Sequence, residues 1–524
     1  MSSDSESDDD KGNQVRVSLK LASTVSDRSL EVPSDPIAVP ADIGRKGLSA
    51  VINHLLGRKT KNNKDSDDSD SDDGSDDDDS DDAEKLVALN FEFILSGTNN
   101  KLLRKGVEKE ARQHGLSLEN AIIITYFPAS NEPELSDEHE SLPDWISCLS
   151  LINTNPNKEE EGEEAAFVCS GCYDGTLHLF KDDSNNSDGE SSGLVKLDTA
   201  VVSSGPIKCC DTTALTDDDN GRSIVYIATA CLDHTMQIHT YDINNSSSSS
   251  RKSNKLSLYG QCSQDGLSCP MTSLDFAPAS SSTSNNGDKL LLASGDGHGC
   301  ICIWDILGSP DSNAADEITT KKMKTSKSSS KSIKSILPQV SMVSSHTQTV
   351  SGLSWGNHHT DAKTSNLTHL ISGSWDHSIK LWDVSRQDCL LTLNGSRVVS
   401  CLDTSYHSEG VVATGHPDCT IRLWDVRSSN DSNKPSSLVT TDNTFRPSHR
   451  AWVSCVNWSK TNPYHLLSTS HDATIKLWDI RSSSPLHTLR VFPKDEKALA
   501  LVWNADNGTI YAGGTDCTIK QVQL

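Results

Sequence analysis

The sequence has no apolar run near the ~20 residues that a membrane-spanning helix needs, and Ala121–Phe127 is among its longest. It also lacks the apolar core of a secretory signal, because the chain begins with the acidic stretch Met1-Ser2-Ser3-Asp4. Fifteen cysteines in a chain without a signal are expected to be reduced thiols, in the cytosol or the nucleus, and not a disulfide framework. These absences predict an intracellular protein with no membrane partner.

Basic residues are too few to give the chain a positive charge. It has 73 acidic residues against 47 basic ones, a formal charge of −26. Much of the excess is local, since residues 4–10 carry five acids and residues 65–84 carry thirteen; without them the balance is 55 acids against 47 bases. Attraction to nucleic-acid phosphates needs a clustered basic face, so the charge argues against an autonomous nucleic-acid binder.

Motifs for catalysis and metal binding are also missing. The sequence has no GxxxxGK(S/T) phosphate loop, no HExxH zinc helix and no Ser-His-Asp order that suggests a triad. Cys169 and Cys172 form a CxxC pair, but no second pair and no histidines stand nearby at ligand spacing. Cys300 and Cys302 are two residues apart in a predicted strand, so both point to the same face, which is typical of core thiols. We therefore expect a protein that is not an enzyme and that has no cofactor and no metal of its own.

The N-terminal part shows the pattern of a small α+β domain over residues 14–128. The tail 1–13 and the stretch 58–85 are rich in Ser and Asp, and both are expected to be disordered because little apolar surface offsets the entropy of ordering. The second stretch is then an insertion in a surface loop, which costs little entropy. Period-2 alternation predicts strands at 15–21, 86–95, 102–104 and 121–126, and helical spacing predicts helices near 48–56 and 106–114. With one further, weaker strand before the first helix, the predicted order is strand, strand, helix, strand, strand, helix, strand.

From residue 141 to residue 524 a repeated unit replaces this pattern. It consists of an apolar strand, small residues, an Asp turn and a second strand that often ends in Trp-Asp, as in Ser372–Asp383 and Ser468–Asp479. Seven copies align on the turn residues Asp174, Asp233, His298, Asp376, Asp418, Asp472 and Asp516. The shortest separations, 42 and 44 residues, fall near the ~40–45 residues of one WD blade. This part resembles an all-β, seven-bladed WD40 propeller.

Two segments need a separate interpretation. The last repeat ends at its third strand, so the segment 129–140 is predicted to be a linker whose residues, around Glu132–Ser141, supply the strand that closes the ring. Residues 306–341 are predicted to be a Lys/Ser-rich loop between blades, with six lysines between Lys321 and Lys334. That loop is either a solvated connection or a segment for nuclear import or RNA contact, and the residues leave both interpretations open.

Repeated polar residues of the blades are predicted to be structural. In this fold such side chains join in a hydrogen-bonded chain that satisfies buried polar groups and fixes strand register. The residues are His346, Asp376, Trp382, Asp418, Trp424, His449, Asp472 and Trp478. Three copies have another residue at the Trp position, namely Phe180, His239 and Val522, and one copy has His298 in place of the turn Asp. The hydrogen-bonded chain of those blades should therefore be incomplete, and their strands should be held together more weakly.

Two repeats end in Trp-Asp-x-Arg, at Trp424–Arg427 and Trp478–Arg481. This box resembles the one by which WD40 substrate receptors dock on cullin-four ubiquitin ligases, with Arg427 and Arg481 as the docking residues. The other interpretation is that Arg simply follows Trp-Asp in an ordinary blade turn. A ligase substrate receptor is therefore an alternative function.

The N-terminal domain resembles one ribosome-biogenesis family. Gly47–Gly57, Phe91–Gly97 and Gly115–Glu119 look like the ubiquitin-like domain of the WD repeat-containing protein 12 family and its fungal counterparts, and Asp144-Trp145-Ile146 looks like the opening of their propeller. The insertion at 58–85 departs from the short link expected in that family. Notchless, a related ribosome factor with the same domain order, is a second candidate, but it would favour eight blades.

The resemblance implies a nuclear assembly factor, in nucleolus and nucleoplasm, required for maturation of large-subunit ribosomal RNA. It implies a complex with Pescadillo and a block-of-proliferation propeller protein on the large-subunit precursor; direct RNA contact stays open. It further implies that the AAA ATPase midasin grips the ubiquitin-like domain and releases the complex. In the family an acidic residue before the last strand completes the coordination of a metal ion held by midasin, and the matching residue here is Glu119. A hard Mg²⁺ with an open position takes such a carboxylate oxygen and tolerates little misplacement.

Overall fold

The computed structural model describes seventeen stretches of the chain. They are residues 14–58, 88–98, 100–138, 141–153, 166–182, 193–217, 222–243, 255–262, 269–278, 289–308, 334–342, 345–356, 369–408, 410–426, 444–445, 448–504 and 508–524. The predicted tail 1–13, nearly all of the predicted insertion and most of the lysine segment lie outside these residues. The chain divides into two compact units, Met1–Asn131 and Glu132–Leu524. In the described stretches no helix is both long and apolar enough to cross a membrane.

In the N-terminal unit the residues that the structure describes form one four-stranded sheet and two helices. Its elements are β1 (Gln14–Leu21), a 3₁₀ turn (Arg28–Leu30), β2 (Ile37–Pro40), α1 (Arg45–Leu55), β3 (Phe91–Leu95), α2 (Val107–Gln113) and β4 (Ile122–Pro128). The strand order is β2-β1-β4-β3, with β1 parallel to β4 and the other pairs antiparallel. The first and last strands are therefore neighbours in the middle of the sheet.

Alternation in β1 places one face of the strand in the core. Val15, Val17 and Leu19 are buried, whereas Arg16 and Lys20 are exposed, as the period-2 pattern predicts. Both helices cover this core with residues four apart in sequence, namely Leu48 and Ile52 of α1 and Val107 and Ala111 of α2. The helix α1 ends where Gly57 adopts a left-handed φ of +70°, a conformation that costs glycine little.

Some predicted boundaries in this unit are wrong. The strand expected over 86–95 begins only at Phe91, and the short strand expected at 102–104 is reduced to a single bridge between Ile94 and Leu102. Arg58, assigned from sequence to the insertion, belongs to the end of α1, because its backbone N–H donates to the Asn53 carbonyl at 2.8 Å. Composition marks where charge begins, but the helix-end hydrogen bond decides where folded backbone stops.

The described residues of the C-terminal unit form seven sheets. The first two contain β6 (Ile146–Asn153), β7 (Ala166–Cys172), β8 (Thr176–Asp182) and β9 (Leu194–Val201), then β10 (Ile207–Asp217), β11 (Arg222–Cys231), β12 (Met236–Asp242) and β13 (Ser257–Cys262). The third and fourth contain β14 (Met271–Phe276), β15 (Leu291–Asp296), β16 (Ile301–Asp305) and β18 (Pro338–Met342), then β19 (Val350–Trp355), β20 (His369–Ser374), β21 (Ser378–Asp383) and β22 (Asp388–Asn394).

The remaining three sheets follow the same plan. They contain β23 (Cys401–Thr404), β24 (Val411–Gly415), β25 (Ile421–Asp425) and β26 (Thr444–Phe445); β27 (Val453–Trp458), β28 (His465–Ser470), β29 (Ile475–Asp479) and β30 (His487–Leu489); and β31 (Ala498–Trp503), β32 (Thr509–Gly514) and β33 (Ile519–Gln523) with β5 (Glu134–Glu138). Apart from β5, successive strands within each of these three sheets pair antiparallel in chain order.

The first strands of the seven sheets are neighbours in a closed circle. The strand β6 packs against β10, and the contacts continue through β14, β19, β23, β27 and β31, which returns to β6. The cores lie between neighbouring sheets, where for example Cys169 and Leu179 of the first sheet pack with Val225 and Ile227 of the second. This arrangement, largely β with WD-type repeats, fits a propeller.

The seventh sheet takes its outer strand from the beginning of the unit. The strand β5 lies within the segment 129–140 and pairs antiparallel with β33, with Glu134 opposite Gln523 and Leu135 opposite Val522. The first and last strands of the C-terminal unit therefore lie in one sheet, and β5 covers the outer edge of β33.

The predicted loop 306–341 is wrong at its C-terminal end. Here β17 (Lys334–Ile336) adds to the second sheet, parallel to β13, and β18 pairs with β16 in the third sheet. Ile336 and Met342 are buried, so these residues contribute to cores instead of solvent. The Lys/Ser composition hid them, because few apolar residues are needed for short edge strands.

Candidate functional site

Glu119 lies in the loop that connects α2 to β4, and its side chain is exposed. Its backbone N–H donates to the Ser117 hydroxyl at 3.3 Å. Among the residues that the structure describes, its carboxylate has no hydrogen bond or ion pair assigned to it. The carboxylate is thus available to a partner without first breaking an internal contact.

The loop around Glu119 is short and held from both sides. Gly115 ends α2 with a φ of +68°, and the Leu116 N–H returns to the Ala111 carbonyl at 2.8 Å. Leu116 and Leu118 pack against the core of the unit, so alternate residues of the loop face inward. Glu119 follows Leu118 directly and is exposed, and the packing of Leu118 limits the positions that the Glu119 carboxylate can take.

Trp, Ser, His and Asp form a complete hydrogen-bonded chain in the fourth sheet. The Trp382 indole N–H donates to the Ser372 hydroxyl at 2.8 Å, and His346 Nε2 lies 2.7 Å from the same hydroxyl. His346 Nδ1 lies 2.9 Å from the Asp376 carboxylate. Because an indole only donates and a carboxylate only accepts, the Ser hydroxyl must donate to Nε2 and the Nδ1–H must donate to Asp376.

The sixth sheet repeats this chain. Trp478 donates to Ser468 at 2.8 Å, His449 Nε2 lies 2.8 Å from Ser468, and His449 Nδ1 lies 3.1 Å from Asp472. Hydrogen bonds hold the pKa of Asp376 down to about 2 and that of Asp472 lower still, against the opposing effect of partial burial. Burial lowers the pKa of both histidines, so neutral imidazoles face ionised carboxylates at neutral pH.

The fifth sheet uses a different histidine. Trp424 donates to Thr414 at 2.8 Å, and the Thr414 hydroxyl lies 2.8 Å from Nε2 of His416, a turn residue within the same sheet. Asp418 instead pairs with Arg422 at 2.8 Å. Sequence reasoning missed His416, because it does not precede the first strand as His346 does. Its position two residues after Thr414 was the available signal.

Sheets without the full residue set leave polar atoms unsatisfied. In the first sheet Phe180 stands where Trp382 stands in the fourth, and the buried Ser170 hydroxyl has no hydrogen-bond partner among the described residues. In the second sheet Nδ1 of the buried His239 is also without a partner within that part of the chain. In the third sheet, where His298 replaces the turn Asp, the Asp296 carboxylate accepts the turn N–H groups of His298 at 2.9 Å and Cys300 at 2.7 Å.

Three aspartates tie neighbouring sheets together, and sequence reasoning did not single them out. Asp211, Asp275 and Asp403 each accept a backbone N–H from the first strand of the next sheet. The distances are 2.6 Å from Phe276, 2.7 Å from Trp355 and 2.6 Å from Trp458. Burial raises the pKa of all three, that of Asp403 to about 7. Their period-2 position in the first strands was the only sequence signal.

Aromatic residues gather at one end of the sheets. In four of the sheets, a residue in the turn after the second strand donates its backbone N–H to a carbonyl just before the first strand. The donor and acceptor residues are Tyr173 and Trp145, Leu232 and Pro206, Trp375 and Thr349, and His471 and Trp452. Since all repeats share this register, these residues lie on one face of the ring. Trp145, Leu232, Trp375 and Trp452 are 46%, 41%, 41% and 37% exposed. Exposed aromatic groups of this kind are typical of protein-binding surfaces.

The proposed ligase-docking arginines differ in what the structure shows. Arg427 lies outside the described residues. Arg481 makes an ion pair with Asp479 at 2.6 Å, and its guanidinium stacks 4.0 Å from the centre of the Tyr464 ring. Its side chain is only 14% exposed, so a partner would have to displace contacts that already hold it.

Cysteines in the described stretches show no sign of a metal centre. No group of three or more His, Cys, Asp and Glu residues in those stretches is arranged to hold a metal ion. Cys169 and Cys172 are buried on β7, and burial raises the pKa of Cys172 to about 12, which disfavours the thiolate that a metal needs.

Comparison with known proteins adds two findings. The model of the NLE (NUC135) domain matches residues 17–72, and that of the WD domain, G-beta repeat, matches residues 338–383, 387–425 and 440–479. Proteins named "Ribosome biogenesis protein WDR12 homolog" are similar across the chain. That of Chlamydomonas reinhardtii is 27% identical over 94% of this chain and 95% of its own length. Those of Oryza sativa and Dictyostelium discoideum are each 26% identical over 98% of this chain and 97% of their own length.

Proposed function

Because the chain resembles the ribosome-biogenesis WD repeat-containing protein 12 family over nearly its whole length, we propose that it is a non-enzymatic ribosome assembly factor. The order of the two parts supports this, since the NLE match precedes the WD repeats. The sequence contains none of the catalytic motifs considered above, which agrees with a role that is not enzymatic.

We further propose that the seven sheets are the seven blades of a propeller and that the N-terminal unit is ubiquitin-like. The parallel pairing of the first and last strands and the two helices on the four-stranded sheet support the second proposal. In this assignment the chain acts on the large-subunit precursor in the nucleolus and nucleoplasm, together with Pescadillo and a block-of-proliferation propeller protein. The exposed aromatic face of this chain offers a docking surface to the block-of-proliferation protein, because binding there would bury apolar ring surface that is now exposed to water.

The exposed carboxylate of Glu119 carries the proposal for the N-terminal unit. We propose that it binds the metal ion of the midasin ATPase, which then pulls the complex from the precursor. Its exposure and the fixed loop are what a metal held by a partner requires, because Mg²⁺ demands nearly ideal ligand placement at about 2.0–2.1 Å.

Glu119→Ala should block release of the complex while the domain stays folded. Glu119→Asp should also impair release, because it withdraws the oxygen by roughly one methylene from a metal that tolerates little misplacement. The measurement is the fraction of the protein that remains on large-subunit precursors, with Asp35→Ala as a control that removes another exposed carboxylate of the unit. Normal growth with Glu119→Ala as the only copy would overturn this role.

The proposed function as a whole is tested by gradient sedimentation of a nuclear extract that contains the tagged protein. Co-migration with large-subunit precursors and Pescadillo is the expected result. Migration in a small complex with cullin subunits, and none on precursors, would replace the proposal with the ligase-receptor alternative.

A further inference from the structure

A cavity of about 520 Å³ opens beside the beginning of α1 in the N-terminal unit. Three basic side chains line it, those of Arg45, Lys46 and Arg104, together with Gly44, Asn90 and Leu103 among others. Every charged residue of the lining is basic. In a chain with a net charge of −26, this concentration of positive charge is local and unusual.

The two arginines are held in place by a buried carboxylate. Glu92 is only 4% exposed, and its two oxygens lie 3.2 Å from Arg45 Nη1 and 3.0 Å from Arg104 Nη1. Arg45 is fixed further, since its Nε–H donates to the Phe91 carbonyl at 3.2 Å. One buried carboxylate therefore orients both guanidinium groups at the cavity.

Guanidinium groups held in this way favour one kind of ligand. A planar guanidinium binds phosphate and carboxylate oxygens through paired hydrogen bonds, and pre-positioning reduces the entropy lost on binding. The cavity also has room at its rim, because Gly44 caps α1 without a side-chain hydrogen bond and a Cβ added there would meet no atom within 4 Å. An anion in the cavity would meet basic groups from α1 and from the segment that precedes α2.

We propose that this cavity binds a phosphate monoester, namely a phosphoserine side chain of an acidic peptide. A monoester carries a charge of about −1.5 to −2 at one point, which matches a compact cavity with three cations around it. An RNA backbone spreads its charge along a strand and is favoured by extended basic stripes. The phosphoserine belongs to another protein or to this chain, whose serines 66, 69, 71, 75 and 80 each precede an Asp, as an acid-directed kinase requires.

The test is a titration of the dephosphorylated full chain with a fluorescent peptide that copies residues 65–70, either with phosphoserine at positions 66 and 69 or with serine. The phosphorylated peptide is expected to bind at least about tenfold more tightly, since hydrogen bonds between charged groups are the strong ones. Equal affinity for the two peptides would overturn the proposal. So would preferential binding of an oligouridine RNA at the same site.

Matched variants locate the binding. Gly44→Asp places a carboxylate at the rim and Gly44→Asn places a neutral isostere there, and both residues are good helix N-caps, so neither should lower the thermal midpoint. Gly44→Asp should weaken phosphopeptide binding about tenfold more than Gly44→Asn does. Lys46→Ala should weaken it as well, and Lys20→Ala, which removes an exposed lysine outside the cavity, should not. Equal effects within either pair would reject the cavity as the site.

A last comparison separates the two sources of phosphoserine. The full chain and a chain that lacks residues 65–84 are each treated with an acid-directed kinase before the titration. Loss of peptide binding by the treated full chain alone assigns the site to this chain's own serines, which a linker holds at high effective concentration. Binding that survives in both assigns it to a phosphoserine of another protein.

Discussion

At the scale of single residues, the hydrogen-bonded chains show why the polar groups of a repeat act together. In the fourth and sixth sheets Trp, Ser, His and Asp satisfy one another in a fixed direction from donor to acceptor. In the first sheet, replacing the Trp by Phe180 leaves the Ser170 hydroxyl without a partner among the described residues. A serine at this position of the repeat therefore stabilises the fourth and sixth sheets, whereas in the first sheet its buried hydroxyl lowers stability.

Ser468→Ala should destabilise the protein by about 2–4 kcal/mol, because it leaves both the Trp478 N–H and His449 Nε2 buried without their partner. Ser170→Ala removes the equivalent hydroxyl in the first sheet and should be neutral or slightly stabilising. Thermal unfolding of the two variants measures the difference. Similar losses for both would show that the hydroxyl group contributes through packing alone.

His239 should make the protein sensitive to acid. Burial lowers its pKa from 6.5 to about 4, so above pH 6.5 it is neutral in both states and its contribution to stability is complete. As the pH falls from 6.5 to 4, the unfolded chain takes up the proton and the folded chain resists it, so up to about 3 kcal/mol is lost.

Comparing His239→Leu with the unchanged chain isolates this effect. Asp403, with its pKa raised to about 7, acts in the opposite sense, because burial favours its neutral form and the folded state gains as the pH falls below 7. The measured quantity is thus the difference in thermal midpoint between the two chains at pH 7.5 and at pH 5. It should shift in favour of His239→Leu at the lower pH, and a constant difference would contradict the prediction.

At the scale of elements, strand prediction succeeded best where the repeat is most regular. The repeat units Ser372–Asp383 and Ser468–Asp479 each contain the end of a second strand, the Asp turn and a whole third strand, as the pattern predicts. The strands β17 and β18 were missed because each is short and lies at the end of a Lys/Ser-rich segment. Pairing with an existing edge, not propensity, makes such short strands stable.

The strand β5 should contribute measurably to the stability of the C-terminal unit. A fragment of residues 132–524 keeps β5, whereas a fragment of residues 141–524 exposes the outer edge of β33. The shorter fragment should unfold at a temperature several degrees lower and should aggregate more readily, because an unpaired edge is a template for intermolecular pairing. Equal thermal midpoints for the two fragments would show that the pairing contributes nothing.

At the scale of the whole molecule, the two units carry separate cores and separate candidate sites. The N-terminal core is one cluster around β1, α1 and β4, and the C-terminal unit is divided among clusters between its sheets. Glu119 and the basic cavity belong to the first unit, and the exposed aromatic face belongs to the second. Partner docking and release should therefore be separable by deletion.

The fragment 132–524 should still enter the complex with the block-of-proliferation protein but should remain on the precursor. It keeps the aromatic face and lacks Glu119, so the proposed function predicts that it binds the partner but is not released. Affinity purification of the tagged fragment should show the partner and an excess of precursor, as for full-length Glu119→Ala. Release at the normal rate would show that the handle lies elsewhere.

The sequence by itself determined the division into two parts, the repeats, the buried face of β1 and the position of Glu119 before the last strand. These features are periodic or local, so they follow from residue spacing and short-range geometry. The missing outer strand of the last repeat also predicted the closing strand, which the structure places at β5. Only the tertiary structure decided that His416 takes the place of a distant histidine in the fifth sheet, and that Arg45, Lys46 and Arg104 surround one cavity. The cavity depends on contacts between residues far apart in the chain, about which residue spacing carries no information. In the fifth sheet the position of His416 two residues after Thr414 was a signal, but only the folded backbone shows which histidine reaches the Thr414 hydroxyl.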